Sequence, residues 1–147
     1  MNEKEIVNLE EETGYVTTPS SPQLIWNFTF GAAIASLVLN VALFFVGSGV
    51  GWIPDDMPES TEAFSLGSVI VFSVLPVVAF GAFMVWLDKR APRASRLFTI
   101  ILLCVLILLV MVPFLFRDLD SSFRLVLVAM HFITAAAIMS ITQATPR

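Results

Sequence analysis

Four long apolar stretches, at residues 24–46, 64–87, 97–116 and 125–143, set the pattern of this chain, and none contains an Asp, Glu, Lys or Arg. Crossing the hydrocarbon core of a bilayer, about 30 Å thick, takes about 20 helical residues. All four stretches meet that length, and charges, prolines or glycines bound each one. Their apolar character is continuous on every face, so they are not amphipathic surface helices. Strands of a membrane barrel would be roughly half as long and would alternate with a period of two. The pattern predicts four transmembrane helices joined by short connections that force neighbours antiparallel: an all-α, integral membrane four-helix bundle in up-and-down topology.

The remaining chain divides accordingly. Residues 1–23 form a polar, acidic arm ending in Thr17-Thr18-Pro19-Ser20-Ser21-Pro22, where prolines and hydroxyl residues mark a linker. Residues 24–143 form the transmembrane domain and 144–147 a short tail. A cleaved leader begins with basic residues and has an apolar core of only about 7–15 residues. Here Glu3, Glu5, Glu10, Glu11 and Glu12 face Lys4 alone, so the first helix is expected to remain as an anchor.

Composition agrees with the pattern. The chain is 57% hydrophobic and 14% charged, with a mean hydropathy of +0.87. Soluble domains sit near about 45–50% apolar and about 25% charged. A chain of 147 residues cannot hide that excess in a core, so its solvent is expected to be lipid. The net charge of −4 argues against nucleic acid as a partner, because phosphates require clustered Lys and Arg.

Basic residues set the expected orientation. Lys89, Arg90, Arg93 and Arg96 crowd the connection between the second and third helices, whereas the first connection has only Asp55, Asp56, Glu59 and Glu62. Placing both termini in the cytoplasm gathers those four bases with Lys4 and Arg147, and leaves Arg117 and Arg124 outside. The expected location is the cell (plasma) membrane, as a multi-pass protein. Trp26 and Trp86 then lie near the inner interface and Trp52 near the outer one, where an indole meets both apolar and polar surroundings. Arg117, Asp118, Asp120 and Arg124 read as a balanced, exposed outer turn.

Lipid gives helices no hydrophobic reason to associate, so small residues and polar contacts must hold them together. The first helix offers Ala32, Ser36 and Asn40 in one stripe, the second Gly67, Ser73 and Gly81, and the fourth Ala129, the run Ala135-Ala136-Ala137, and Ser140. Asn40 and His131, the single histidine, stand out because an unpaired amide or imidazole is costly in hydrocarbon. Counting from the outer helix ends puts both roughly 9 Å deep, at one level. They are expected to face inward and approach each other, directly or through water. Together with Ser36 and Ser73 they form a candidate ligand-binding set. His131 reads either as a neutral, hydrogen-bonded bundle residue or as a proton acceptor or a ligand for metal, haem or quinone. No metal site is expected, because one histidine and the single Cys104 are too few ligands. Pro76 and Pro113 each remove a backbone donor inside a helix and are candidate hinges, and Pro76 could also open a small cavity.

The segment Pro92-Arg93-Ala94-Ser95-Arg96-Leu97-Phe98 opening the third helix, Pro113 near its end, and Leu127-Val128-Ala129-Met130-His131 before Ala135-Ala136-Ala137 resemble a bacterial family of small four-helix membrane proteins of unknown function. The likeness runs over residues 93–141, more loosely over the first helix with Asn40, and the long acidic arm departs from it. It implies the four-helix topology and no activity.

No nucleophile elbow, phosphate loop, zincin motif or dinucleotide fingerprint is present, so enzymatic activity has no support and no cofactor is expected. Three functions remain open. The leading expectation is a non-enzymatic accessory or interaction subunit of a membrane assembly, or a self-associating bundle, whose partners are the lipid bilayer and other membrane subunits or itself. The alternative is a carrier or binding protein for a small apolar molecule that uses an Asn40/His131 pocket. A redox or membrane-enzyme subunit comes third.

Overall fold

A computed structural model describes residues 21–54, 64–91, 93–117 and 119–144. The acidic arm before residue 21, the acidic residues Asp55, Asp56, Glu59 and Glu62, Pro92, Asp118 and the tail beyond residue 144 lie outside the described residues. Four α-helices follow one another: α1 (Pro22–Gly49), α2 (Leu66–Asp88), α3 (Ala94–Leu115) and α4 (Ser121–Ser140), the last running into a 3₁₀ turn, Ile141–Ala144. Each is long and apolar enough to cross a membrane, and together they mark an all-α, four-helix membrane protein.

The helix ends have local causes. Ser21 accepts a hydrogen bond from the Leu24 amide (3.2 Å) and Pro22 occupies the first turn. The Ser-Pro pair expected to belong to the linker therefore opens α1, because proline's fixed φ suits a first helical turn. At the other end of α1, Gly51 takes φ +73°, and the amides of Trp52 (2.8 Å) and Ile53 (3.2 Å) turn back onto the Gly47 carbonyl. Only glycine takes that left-handed conformation cheaply. Ser65 and Ser68 cap α2 reciprocally: the Ser65 amide donates to Ser68 Oγ (2.8 Å) and the Ser68 amide to Ser65 Oγ (3.3 Å).

Numbering across each interface shows the antiparallel order. Gly81 of α2 meets Thr29 of α1, whereas Ser73 meets Asn40; Thr134 of α4 meets Ser36, whereas Val126 meets Gly47. Thr99 and Phe116, near the two ends of α3, meet Met139 and Arg124 in the same reversed sense. α1 is the centre of the bundle. Its stripe Ile25, Thr29, Ala32, Ser36 and Asn40 is buried against α2 and α4. α3 is peripheral: 17% of its most apolar window is buried, against 28% for the other three helices.

Two apolar clusters fill the bundle. One contains Ile25, Val77, Met84, Phe98, Leu102 and Ile138, and the other Ile53, Val69, Phe123, Val126 and Met130. Ser73 lies on α2 between Val69 and Val77, and Thr134 on α4 between Met130 and Ile138, so a polar layer separates the two. The outer surface exposes Phe30, Ile34, Phe45, Phe72, Leu108 and Leu115. Continuous apolar surface of that kind suits lipid rather than water.

Candidate functional site

The polar layer is built around one amide, which carries two donor hydrogens on its nitrogen and an acceptor oxygen, surrounded by hydroxyls that each donate one hydrogen and also accept. Asn40 is 2% exposed, and its Nδ2 donates to Ser73 Oγ (2.9 Å) and Thr134 Oγ1 (3.0 Å), tying α1 to both α2 and α4. Ser36 Oγ, one turn back on α1, lies 3.2 Å from Thr134 Oγ1 and 3.5 Å from Asn40 Nδ2. Ser73 in turn donates to the Val69 carbonyl at 2.6 Å. With its hydrogen so committed, Ser73 can only accept from Asn40, which orients the amide. Asn40 Oδ1 is buried and has no hydrogen-bond partner.

A cavity of about 400 Å³ adjoins this layer. Its walls are Val69, Phe72, Pro76 and Phe80 of α2, Leu102, Val105, Leu106 and Leu109 of α3, and Leu127, Met130, Ala135 and Ile138 of α4. Asn40, Ser73, Thr134 and His131 supply polar groups. Phe72 and Leu109, on the rim, are exposed on the outside of the bundle, so the space opens sideways between α2 and α3. That opening follows from the light packing of α2 on α3.

The structure thus brings Asn40, Ser36 and Ser73 into one cluster, and places His131 on the same cavity wall without joining it to Asn40. His131 Nδ1 is 2.6 Å from the carbonyl of Leu127, one turn back on α4. The residue that reaches Asn40 across the bundle is Thr134, one turn beyond His131 on the same face. Sequence reasoning missed it because a helical threonine can satisfy itself on its own backbone and so gives no signal of a long-range partner. The same holds for Thr29, which bonds the Ile25 carbonyl (2.8 Å) and packs on Gly81.

The proline positions differ in setting. α2 continues through Pro76, which lines the cavity, and α3 continues through Pro113, which is buried. Of the small residues on α2, Ser73 and Gly81 are buried and Gly67 is exposed. Lys89, Arg90, Arg93 and Arg96 are all exposed around the α2–α3 turn, with the Arg90 guanidinium 4.7 Å above the Trp86 ring. Trp52 and Trp86 are exposed and Trp26 is half-buried beside Phe30. In the outer turn Arg117 and Asp120 are exposed as expected, and Arg124 departs from that expectation. Arg124 is half-buried and donates to the carbonyls of Phe116 (2.9 Å) and Arg117 (3.3 Å), closing the end of α3. Those carbonyls have no helical partner, which is what draws the guanidinium inward.

Among the described residues no three His, Cys, Asp or Glu side chains come together. The chemistry this site can perform is recognition by hydrogen bonding inside an apolar space. No curated protein and no solved structure matches the chain. The likeness first visible from residue 93 onward extends much further, since a family model covers residues 20–147: the chain belongs to the family of unknown function DUF6069.

Proposed function

We propose that this protein binds a small lipophilic molecule within the membrane, in the cavity between α2 and α3. The observation that carries this reading is an apolar cavity of about 400 Å³, open sideways and ending on a buried amide. Ligand sites are typically concave and apolar with a few convergent polar groups. Intramembrane side chains with hydrogen-bonding capacity to spare are functional candidates. Ser73, Asn40 and His131 are the polar contacts of such a ligand, and Ser36 supports Asn40 from behind. Pro76 keeps the α2 wall free of one backbone donor, and it and Pro113 are the positions about which α2 and α3 would move to admit the ligand.

The protein is read as crossing the plasma membrane four times with both termini in the cytoplasm, on the strength of the basic cluster from Lys89 to Arg96. The ligand then enters from the lipid, not from either aqueous side. The test is a mild extraction of the tagged chain from its native membranes, followed by mass spectrometry of bound lipophilic molecules. The expected result is one compound enriched over bulk lipid, and its loss from a Leu106→Trp variant that fills the cavity.

An accessory role in a larger assembly is a second reading, favoured by a separate groove of about 600 Å³ between α1 and α4. Gly31, Ala35 and Ala136 are exposed along it, and small residues of that kind let another helix approach closely. Stoichiometric membrane proteins co-eluting in the same extraction support it. Elution of the chain alone removes it.

A further inference from the structure

The turn from α2 to α3 gathers positive charge in a chain whose net charge is −4. Between residues 88 and 96 stand four bases, Lys89, Arg90, Arg93 and Arg96, against one acid, Asp88. All four bases are exposed. A bias in Lys and Arg accounts for the direction of insertion. It does not account for where the Arg90 side chain goes.

The Arg90 guanidinium lies 4.7 Å above the Trp86 ring. Resting its face on an indole leaves the fork of N–H groups at its edge available to donate. Trp86 is itself exposed near the end of α2, where an indole marks the membrane interface. The fork is therefore held at the level of the lipid phosphates, and its geometry suits two oxygens of one phosphate.

Apolar rings continue inward from that point. Trp86 stacks on Phe83 (5.8 Å), Phe83 on Phe98 of α3 (6.3 Å), and Phe98 meets Phe80 edge-on (5.7 Å). Phe80 is a wall of the cavity, so the rings form a seam from Arg90 to the cavity's near end. Ten residues separate Arg90 from Phe80, roughly 15 Å at the helical rise. Half the hydrocarbon thickness is also about 15 Å, the depth covered by one acyl chain.

We infer that this turn holds an anionic phospholipid, its phosphate on the Arg90 guanidinium and one acyl chain laid over Trp86 and Phe83. The leaflet is the cytoplasmic one in the orientation proposed above. Lys89, Arg93 and Arg96 supply the field that favours a head of net negative charge. A zwitterionic head would bring its own ammonium against the same bases. A soluble acidic partner would meet the charges and leave the seam uncovered. The site is separate from the cavity ligand and stands whether or not the cavity is filled.

The test is native mass spectrometry of the full chain in a non-ionic detergent, titrated with dioleoyl phosphatidylglycerol or dioleoyl phosphatidylcholine. The chains are identical, so only the heads differ. Phosphatidylglycerol is expected to bind at least about tenfold more tightly. Arg90→Gln should lower its affinity about 30-fold, the worth of a charged, two-pronged hydrogen bond. Lys89→Gln should lower it by at most about fivefold, the worth of one charge near the surface. Arg90→Lys, which keeps the charge and loses the fork, should recover only part of the loss. Leu106→Trp should leave the preference unchanged. Equal binding of the two lipids overturns the inference, and so do equal losses from Arg90→Gln and Lys89→Gln, which would mean a diffuse field. Inorganic phosphate that displaces the lipid at millimolar concentration would assign the site to a soluble anion and overturn the lipid. A preference lost in Leu106→Trp would move the lipid into the cavity and overturn the seat on Arg90.

Discussion

Gly81 faces Thr29 so closely that a methyl group on Gly81 would stand 2.9 Å from Thr29 Cβ and nearer still to its Oγ1 and Cγ2. Thr29 is fully buried and cannot turn away, since its hydroxyl is held by the Ile25 carbonyl. This is a point of close backbone approach in the contact of α1 with α2. Helices in lipid gain from close backbone approach rather than from expelling water, so such a point matters more there than in a soluble bundle. Gly81→Ala is expected to destabilise the bundle by about 1–3 kcal/mol, the usual range for overpacking. Adding Thr29→Ala removes the two nearest atoms and should recover part of the loss. Reversible unfolding in mixed micelles measures both, and a neutral Gly81→Ala would show the contact to be loose.

The amide of Asn40 holds three helices at one level. A double-mutant cycle pairing Asn40→Ala with Ser73→Ala is expected to give a coupling of about 0.6 kcal/mol and at most about 1.7 kcal/mol, the average and the maximum for interhelical hydrogen bonds from such cycles in a membrane protein. Because Asn40 also contacts Thr134, the single Asn40 variant should lose more than the cycle assigns to Ser73. A coupling indistinguishable from zero would mean that water or lipid replaces the bond without loss.

Arg124 closes the C-terminal end of α3. Replacing it with Ala leaves the Phe116 and Arg117 carbonyls without their donor and should cost about 1–2 kcal/mol, in the lower part of the range for hydrogen bonds from charged groups because the site is half-exposed. Lys, which keeps the charge and nearly the reach, should restore part of that loss. Faster hydrogen exchange in the last turn of α3 in Arg124→Ala would be the local readout.

Orientation is testable by labelling. With Cys104 replaced by Ser, a cysteine at Lys89 should react with an impermeant maleimide only after the cells are opened, and one at Ser122 should react in intact cells. Neutralising Lys89, Arg90, Arg93 and Arg96 together while adding lysines beside Ser122 should reverse the pattern, because the bias in Lys and Arg sets the direction of insertion. Labelling of Lys89→Cys from outside in the unaltered background would overturn the cytoplasmic placement of that turn.

The filled cavity gives a separate outcome. Leu106 is half-buried on α3 and reaches the space from the peripheral helix, so Leu106→Trp should leave helix content and the thermal midpoint of the empty protein nearly unchanged. Circular dichroism checks that expectation. A large loss of stability would mean that the wall around Leu106 is already closed.

The sequence by itself determined the solvent, the number of helices and which residues could not face that solvent unpaired. Those properties depend on length and on continuous apolarity, which are local. It also marked Asn40, Ser36 and Ser73 as polar positions in apolar helices, and the structure gathers them within hydrogen-bonding distance. Pairing Asn40 with His131 was a different kind of step. Counting residues gives depth to within about one turn and says little of rotation about the helix axis, and His131 and Thr134 share one face a turn apart. Only tertiary packing decided that Thr134 meets the amide while His131 bonds its own backbone. The cavity likewise belongs to no segment. It exists because α3 leans on α4 and stands off α2, leaving Leu106 and Phe72 on opposite sides of a gap that neither helix encodes alone.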